Sequence, residues 1–96
     1  MITTKQRAYL KGIAMNKTAT MQIGKEALKD QSIKQIDDML EANELVKIKV
    51  LKSCDMSAKD IANNVASHLK SDIVQVIGGT FVLYRRSQRD VKHIEF

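Results

Sequence analysis

The residues best placed to do chemistry sit in the stretch MQIGKEALKD, residues 21–30. An apolar run stops at Gly24, Lys25 follows, and a helical pattern starts soon after. A glycine lets the backbone come close to a phosphate, and a lysine supplies the counter-charge. A Walker-type loop would also need a second Gly-Lys followed by Ser or Thr. GKEAL has neither the length nor the hydroxyl, and the chain contains no G-x-G-x-x-G. Gly24-Lys25 is therefore either a plain strand-to-helix turn or a basic loop that holds a phosphate backbone.

The other reactive side chains do not assemble into a site. His68 and His93 are the only histidines, and neither has a metal-type spacing to Cys54. The lone cysteine can form no internal disulfide, which fits a reducing, cytoplasmic setting. Asp37 and Asp38 are neighbours on a helical pattern and point about 100° apart. They read as a solvated face rather than a catalytic pair. No enzyme activity, cofactor, metal or small-molecule substrate is expected. No apolar stretch approaches the roughly 18–20 residues of a membrane span. The basic, amphipathic opening MITTKQRAYLKGIAMNK lacks the continuous apolar run of a secretory signal.

Charge says more. The 96 residues carry a net +5. Residues 1–25 hold Lys5, Arg7, Lys11, Lys17 and Lys25 with no acid, whereas residues 26–46 hold six acids against two lysines. Positive charge returns at Arg85 and Arg86. A basic region separated from an acidic block is the electrostatic footprint of a polyanion binder.

Periodicity supplies the elements that must position these groups. Residues 4–16 predict a helix with Tyr9, Leu10, Ile13 and Ala14 on its buried stripe and Thr3 or Thr4 as cap. Residues 19–23 alternate as a strand, with Ala19, Met21 and Ile23 on one face. Ile33, Ile36 and Leu40 mark a second helix over 30–42. Residues 45–51 form a strand with Val46, Ile48 and Val50 on one face and Leu45, Lys47, Lys49 and Leu51 on the other. Ala58, Ile61, Ala62, Val65, Ala66 and Leu69 mark a third helix, and Ser57 with Asp60 fits a capping box. Gly78-Gly79 then joins strands at 73–77 and 80–85 as a hairpin. Strict alternation would put Val74 and Val76 on one face, Ile73 and Ile77 on the other. The order α-β-α-β-α-β-β implies right-handed crossovers between neighbouring parallel strands, with the second and third helices on one face of the sheet. The hairpin strands are apolar on both faces, so the first helix should cover part of the second face. That would bring its cations near the Gly24-Lys25 loop. Phe81 and Tyr84 fall on opposite faces of one strand, which disfavours an aromatic base-stacking platform and favours backbone contact.

The segments KQRAYLKGIA, QIGK, IKQIDDMLEANELVKIKVL and VQVIGGTFVLYR, in this order, resemble the bacterial YhbY family. That family is the stand-alone form of the CRM (chloroplast RNA splicing and ribosome maturation) domain. The resemblance covers about residues 4–86. It implies a single α/β domain over 1–86 with a four-stranded mixed sheet, similar to the C-terminal domain of translation initiation factor 3. Residues 87–96 would be a part-ordered tail, with V-K-H-I able to extend along a sheet edge. It also implies RNA binding without catalysis, and association with precursors of the large ribosomal subunit.

Members usually carry a G-x-x-G loop after the first strand. Here its first glycine matches Gly24, its lysine Lys25, and its fourth position is Ala27. A Lys-Pro that often precedes the strand is Lys17-Thr18. A helix-capping Thr is replaced by Lys29, and a long residue in the hairpin by Gly79, beside Gly78. With Ala27, either the loop is unstrained there or a phosphate is held less closely, in which case restoring glycine should tighten binding.

The expected RNA contacts are Lys5, Arg7, Lys11, Lys17, Gly24, Lys25, Lys29, Arg85 and Arg86, in a monomer bound to ribosomal RNA precursor. Arg85 has a competing role as partner to the acids of the second helix. An alternative is a protein-interaction module using the acidic face of Asp37, Asp38, Glu41 and Glu44.

Overall fold

A computed structural model describes residues 2–89 and 93–95. Three helices, α1 (Thr4–Met15), α2 (Asp30–Asn43) and α3 (Ala58–Leu69), alternate with strands β1 (Met21–Ile23), β2 (Leu45–Val50), β3 (Asp72–Ile77) and β4 (Thr80–Tyr84). The caps explain most helix starts. Thr3 and Gln6 form a reciprocal capping box on α1, and the Ser57 side chain accepts from the Asp60 N–H on α3. Helix α2 begins at Lys29 with no side-chain cap.

The sheet order is β1-β2-β4-β3. Strands β1 and β2 are parallel, and β4 is antiparallel to both β2 and β3. The crossover through α3 therefore does not join neighbouring strands, as alternation along the chain suggested. The hairpin folds β4 back into the space between β2 and β3. Gly78 takes a positive φ of 56° in this turn, a conformation that glycine adopts without strain.

Each face of the sheet has its own core. Ile36 and Leu40 of α2 and Ile61, Ala62 and Val65 of α3 pack on Val46, Ile48, Phe81 and Leu83. Leu10 and Ala14 of α1 pack on Leu45, Val74, Val82 and Tyr84, with Ile2 closing the end. Phe81 and Tyr84 thus lie on opposite faces, as alternation requires.

Three expectations fail for local reasons. Tyr9 lies off the buried stripe and is 52% exposed, because α1 buries only a narrow band through Leu10 and Ala14. Val74 and Val76 do not share a face. A register shift between Ile73 and Gln75 turns Val74 towards α1 and leaves Ile73 and Val76 against the α2–α3 core. Strand β1 is also shorter than predicted, and Ala19 is exposed ahead of it.

Candidate nucleic-acid interface

Strand β1 ends at Ile23, whose carbonyl accepts from the Leu51 N–H at 2.7 Å. The chain then turns tightly. The Ala27 N–H donates to the Gly24 carbonyl at 3.0 Å, and the Lys29 N–H to the Glu26 carbonyl at 3.1 Å. Ala27 is 2% exposed and its side chain belongs to the α2–α3 core. Among the described non-glycine residues only Glu44 and Lys70 have positive φ. The loop is therefore unstrained at Ala27, and its methyl group points inward. Replacing it by glycine would remove a methyl group that packs in the core, at the wall of a cavity it shares with Lys25, Leu28, Cys54, Asp55 and Met56. Gly24 has an intramolecular reason of its own: a Cβ there would lie 2.7 Å from Ser53 Oγ and 3.7 Å from Leu51 Cδ1. The loops after β1 and β2 are thus packed against each other at the carboxyl ends of two parallel strands, with Lys25 and Lys52 both exposed.

The expected cations do not gather at this loop. Arg7 near the start of α1 donates from Nε to the Ile73 carbonyl at 3.2 Å, and Arg85 follows the end of β4 that pairs with Leu45. Gly24 lies beside Leu51. Leu45 and Leu51 are six residue steps apart along the chain, about 20 Å. Only Lys17 approaches the middle of this line, where its carbonyl accepts from Lys47 Nζ. Lys5, Lys11, Lys17, Lys25 and Arg86 are exposed.

Others are committed elsewhere. Lys29 pairs with Glu26 at 2.7 Å. Arg85 is largely buried: its guanidinium pairs with Asp37 at 2.7 Å and Glu41 at 3.0 Å and donates to the Leu69 carbonyl at 2.9 Å. It ties α2 and α3 to the end of β4.

Three lysines of β2 and its loop were missed by the sequence argument. Lys47 Nζ donates to the carbonyls of Ala14 at 3.2 Å and Lys17 at 3.1 Å, closing the end of α1. Lys49 and Lys52 are exposed. The signal was present in the alternation of Lys47 and Lys49 with Ile48 and Val50. Two lysines on the second face mean that α1 does not cover all of it.

The acidic face of α2 is mostly spent inside the fold. Asp37 and Glu41 hold Arg85. Glu44 is fully buried, and its carboxylate accepts from the Ser87 N–H at 2.7 Å, the Ile94 N–H at 2.6 Å and His93 Nδ1 at 2.7 Å. An ionised carboxylate only accepts, so Nδ1 carries the proton. Burial pushes the Glu44 pKa up, but the bonds from His93, Ile94 and Ser87 outweigh it and hold the group below its ordinary value. These contacts tie the described parts of the tail to α2, and Ile94 packs beside the α1 core. Residues 93–95 form no strand. Val91 and Lys92 of the expected V-K-H-I extension lie outside the described residues. Of the four acids, Asp38 is exposed, with Lys34 at 3.6 Å.

A family model for the CRS1 / YhbY (CRM) domain matches residues 2–85. The chain belongs to this family. As a CRM domain it is 41% identical over 95 residues to YqeI of Bacillus subtilis, a probable RNA-binding protein, covering 99% of this chain and 98% of that one. It is 32% identical over 87 residues to a Haemophilus influenzae protein named as RNA-binding, covering 91% and 88%. The solution structure of a Staphylococcus aureus protein, described as a candidate RNA-binding protein, superposes with a TM-score of 0.77 at 41% identity, covering 94% of each chain. The CRM match ends where the tail begins its contacts with Glu44. Among the described residues, no helix is long and apolar enough to cross a membrane.

Proposed function

We propose that this CRM-domain protein binds RNA through the sugar–phosphate backbone, without catalysis, as a cytoplasmic monomer acting on precursor RNA of the large ribosomal subunit. The observation that carries the reading is a Gly24-Lys25 loop with Lys25 exposed, at the end of paired parallel strands, in a chain whose CRM relatives are named RNA-binding proteins. The link to the large subunit rests on the family resemblance.

Lys5, Lys11, Lys17, Lys25 and Arg86 are the free phosphate contacts. Gly24 lets the loops after β1 and β2 pack together and so sets the position of Lys25. Arg7, Lys29 and Arg85 add to the positive field while their side chains stay with their protein partners. Nothing in the structure favours the acidic face as a recruiting surface, because Glu44 is buried and Asp37 and Glu41 hold Arg85.

Crosslinking in cells, followed by sequencing of the bound RNA, tests the reading. Enrichment of large-subunit precursor RNA, abolished by Lys11→Glu with Lys25→Glu, is expected. Recovery of no RNA above background would overturn RNA binding. Recovery of unrelated RNA would overturn the ribosomal assignment alone.

A further inference from the structure

Helix α1 leaves half of its sheet face open. The register places Gln22, Lys49, Thr80 and Ile77 in one cross-strand row, because Gln22 pairs with Lys49, Lys49 with Thr80, and Thr80 with Ile77. Directly opposed residues point to the same face. Lys47 and Val82 lie on that face one step closer to α1. Between this part of the sheet and the end of α1 runs an open groove of about 460 Å³, bordered by Met15, Lys47, Gln75, Ile77 and Thr80. Met15 is 78% exposed and Ile77 63% exposed.

The same row links the groove to the Gly24 loop: Thr80 borders the groove, and Gln22 lies two residues before Gly24. The missing Cβ of Gly24 points at Leu51 and Ser53, just past the end of β2. Lys49, exposed beside Thr80, stands between the groove and the strand that ends at Gly24. Charge and apolar surface in that arrangement suit a single-stranded nucleotide: phosphate at the lysine, base against Met15 and Ile77, base edge towards the amide of Gln75 or the hydroxyl of Thr80.

We propose that the open half of the sheet face, between Met15 and Ile77, is a base-binding groove for single-stranded RNA continuing from the Gly24-Lys25 loop. The inference rests on RNA binding as proposed above and adds a second kind of contact to it. It makes the protein prefer unpaired over paired RNA, since a duplex keeps its bases out of the groove.

The test uses full-length protein and a single-stranded ribosomal RNA oligonucleotide, with the same strand in a duplex as competitor. Met15 and Ile77 are exposed, so Met15→Asp and Ile77→Asp leave the cores intact, which circular dichroism checks. Each is expected to weaken single-strand binding about tenfold, and to weaken duplex binding by less than threefold. Lys49→Glu is expected to weaken single-strand binding and to reduce the steepness of its salt dependence by about 0.7, one phosphate contact on a single strand. If Lys25→Glu weakens binding while both aspartate variants stay within twofold of native, the groove is overturned and the backbone reading stands. If Lys25→Glu also has no effect, that reading falls as well. A native dimer in sedimentation velocity that Ile77→Asp dissolves would assign the groove to a second copy of the chain and overturn the proposal.

Discussion

Glu44 holds the chain end with one carboxylate. It sits at the end of α2 with φ 66° and ψ −39°, an uncommon conformation for a residue with a Cβ, and its three donors come from a single later segment. Glu44→Gln keeps the shape but turns one acceptor into a donor facing N–H groups. A loss of about 2–3 kcal/mol is expected in urea unfolding. The folded pKa lies below the ordinary value of 4.5. The stabilisation is therefore fully present above about pH 4.5 and fades as pH falls through the folded value. The gap between native and variant midpoints should narrow from pH 6 to pH 3; a gap independent of pH would contradict this linkage. At the loop, Ala27→Gly removes a buried methyl and frees the unfolded chain, so a loss of about 1 kcal/mol is expected. RNA affinity should stay within twofold, and a clear gain would put the RNA path at residue 27.

At the scale of elements, α2 is capped by Lys29, whose side chain cannot accept a hydrogen bond. Lys29 also places a cation at the positive end of the helix dipole. Lys29→Thr supplies a cap and removes that charge, and should raise stability by about 1 kcal/mol in thermal or urea unfolding. No change would mean that the Glu26–Lys29 pair already offsets the missing cap. The seven elements and their order were legible because their patterns are long and their punctuation local: Ser57 before α3, Gly78-Gly79 in the hairpin. What periodicity could not show was tertiary. The place of β4 between β2 and β3 depends on the return of the hairpin. The split of Val74 from Val76 depends on one bulge. Tyr9 shows the limit of stripes, since adjacency to Leu10 does not decide which edge of a narrow band is buried. At the candidate site, Gly24 and Lys25 were readable from a local motif. The engagements of Arg7 with Ile73, Lys47 with Ala14, and Arg85 with Asp37 and Leu69 join residues far apart in sequence, and no local pattern encodes them.

Over the whole molecule, the acids of α2 and the cations divide by role. Asp37, Glu41 and Glu44 close the fold around Arg85 and the tail. Lys5, Lys11, Lys17, Lys25, Lys49, Lys52 and Arg86 are among the exposed cations. On the proposed reading these cations meet a backbone at several phosphates, and each contact releases a counterion. The most direct test is therefore the affinity for a single-stranded ribosomal RNA segment measured across a salt series. With about five phosphates neutralised, log affinity should fall against log salt with a slope near −3.5. Lys11→Glu with Lys25→Glu should make that slope shallower by about 1.4, two contacts' worth. An affinity that hardly changes with salt, or a slope the double variant leaves untouched, would contradict backbone binding by this surface.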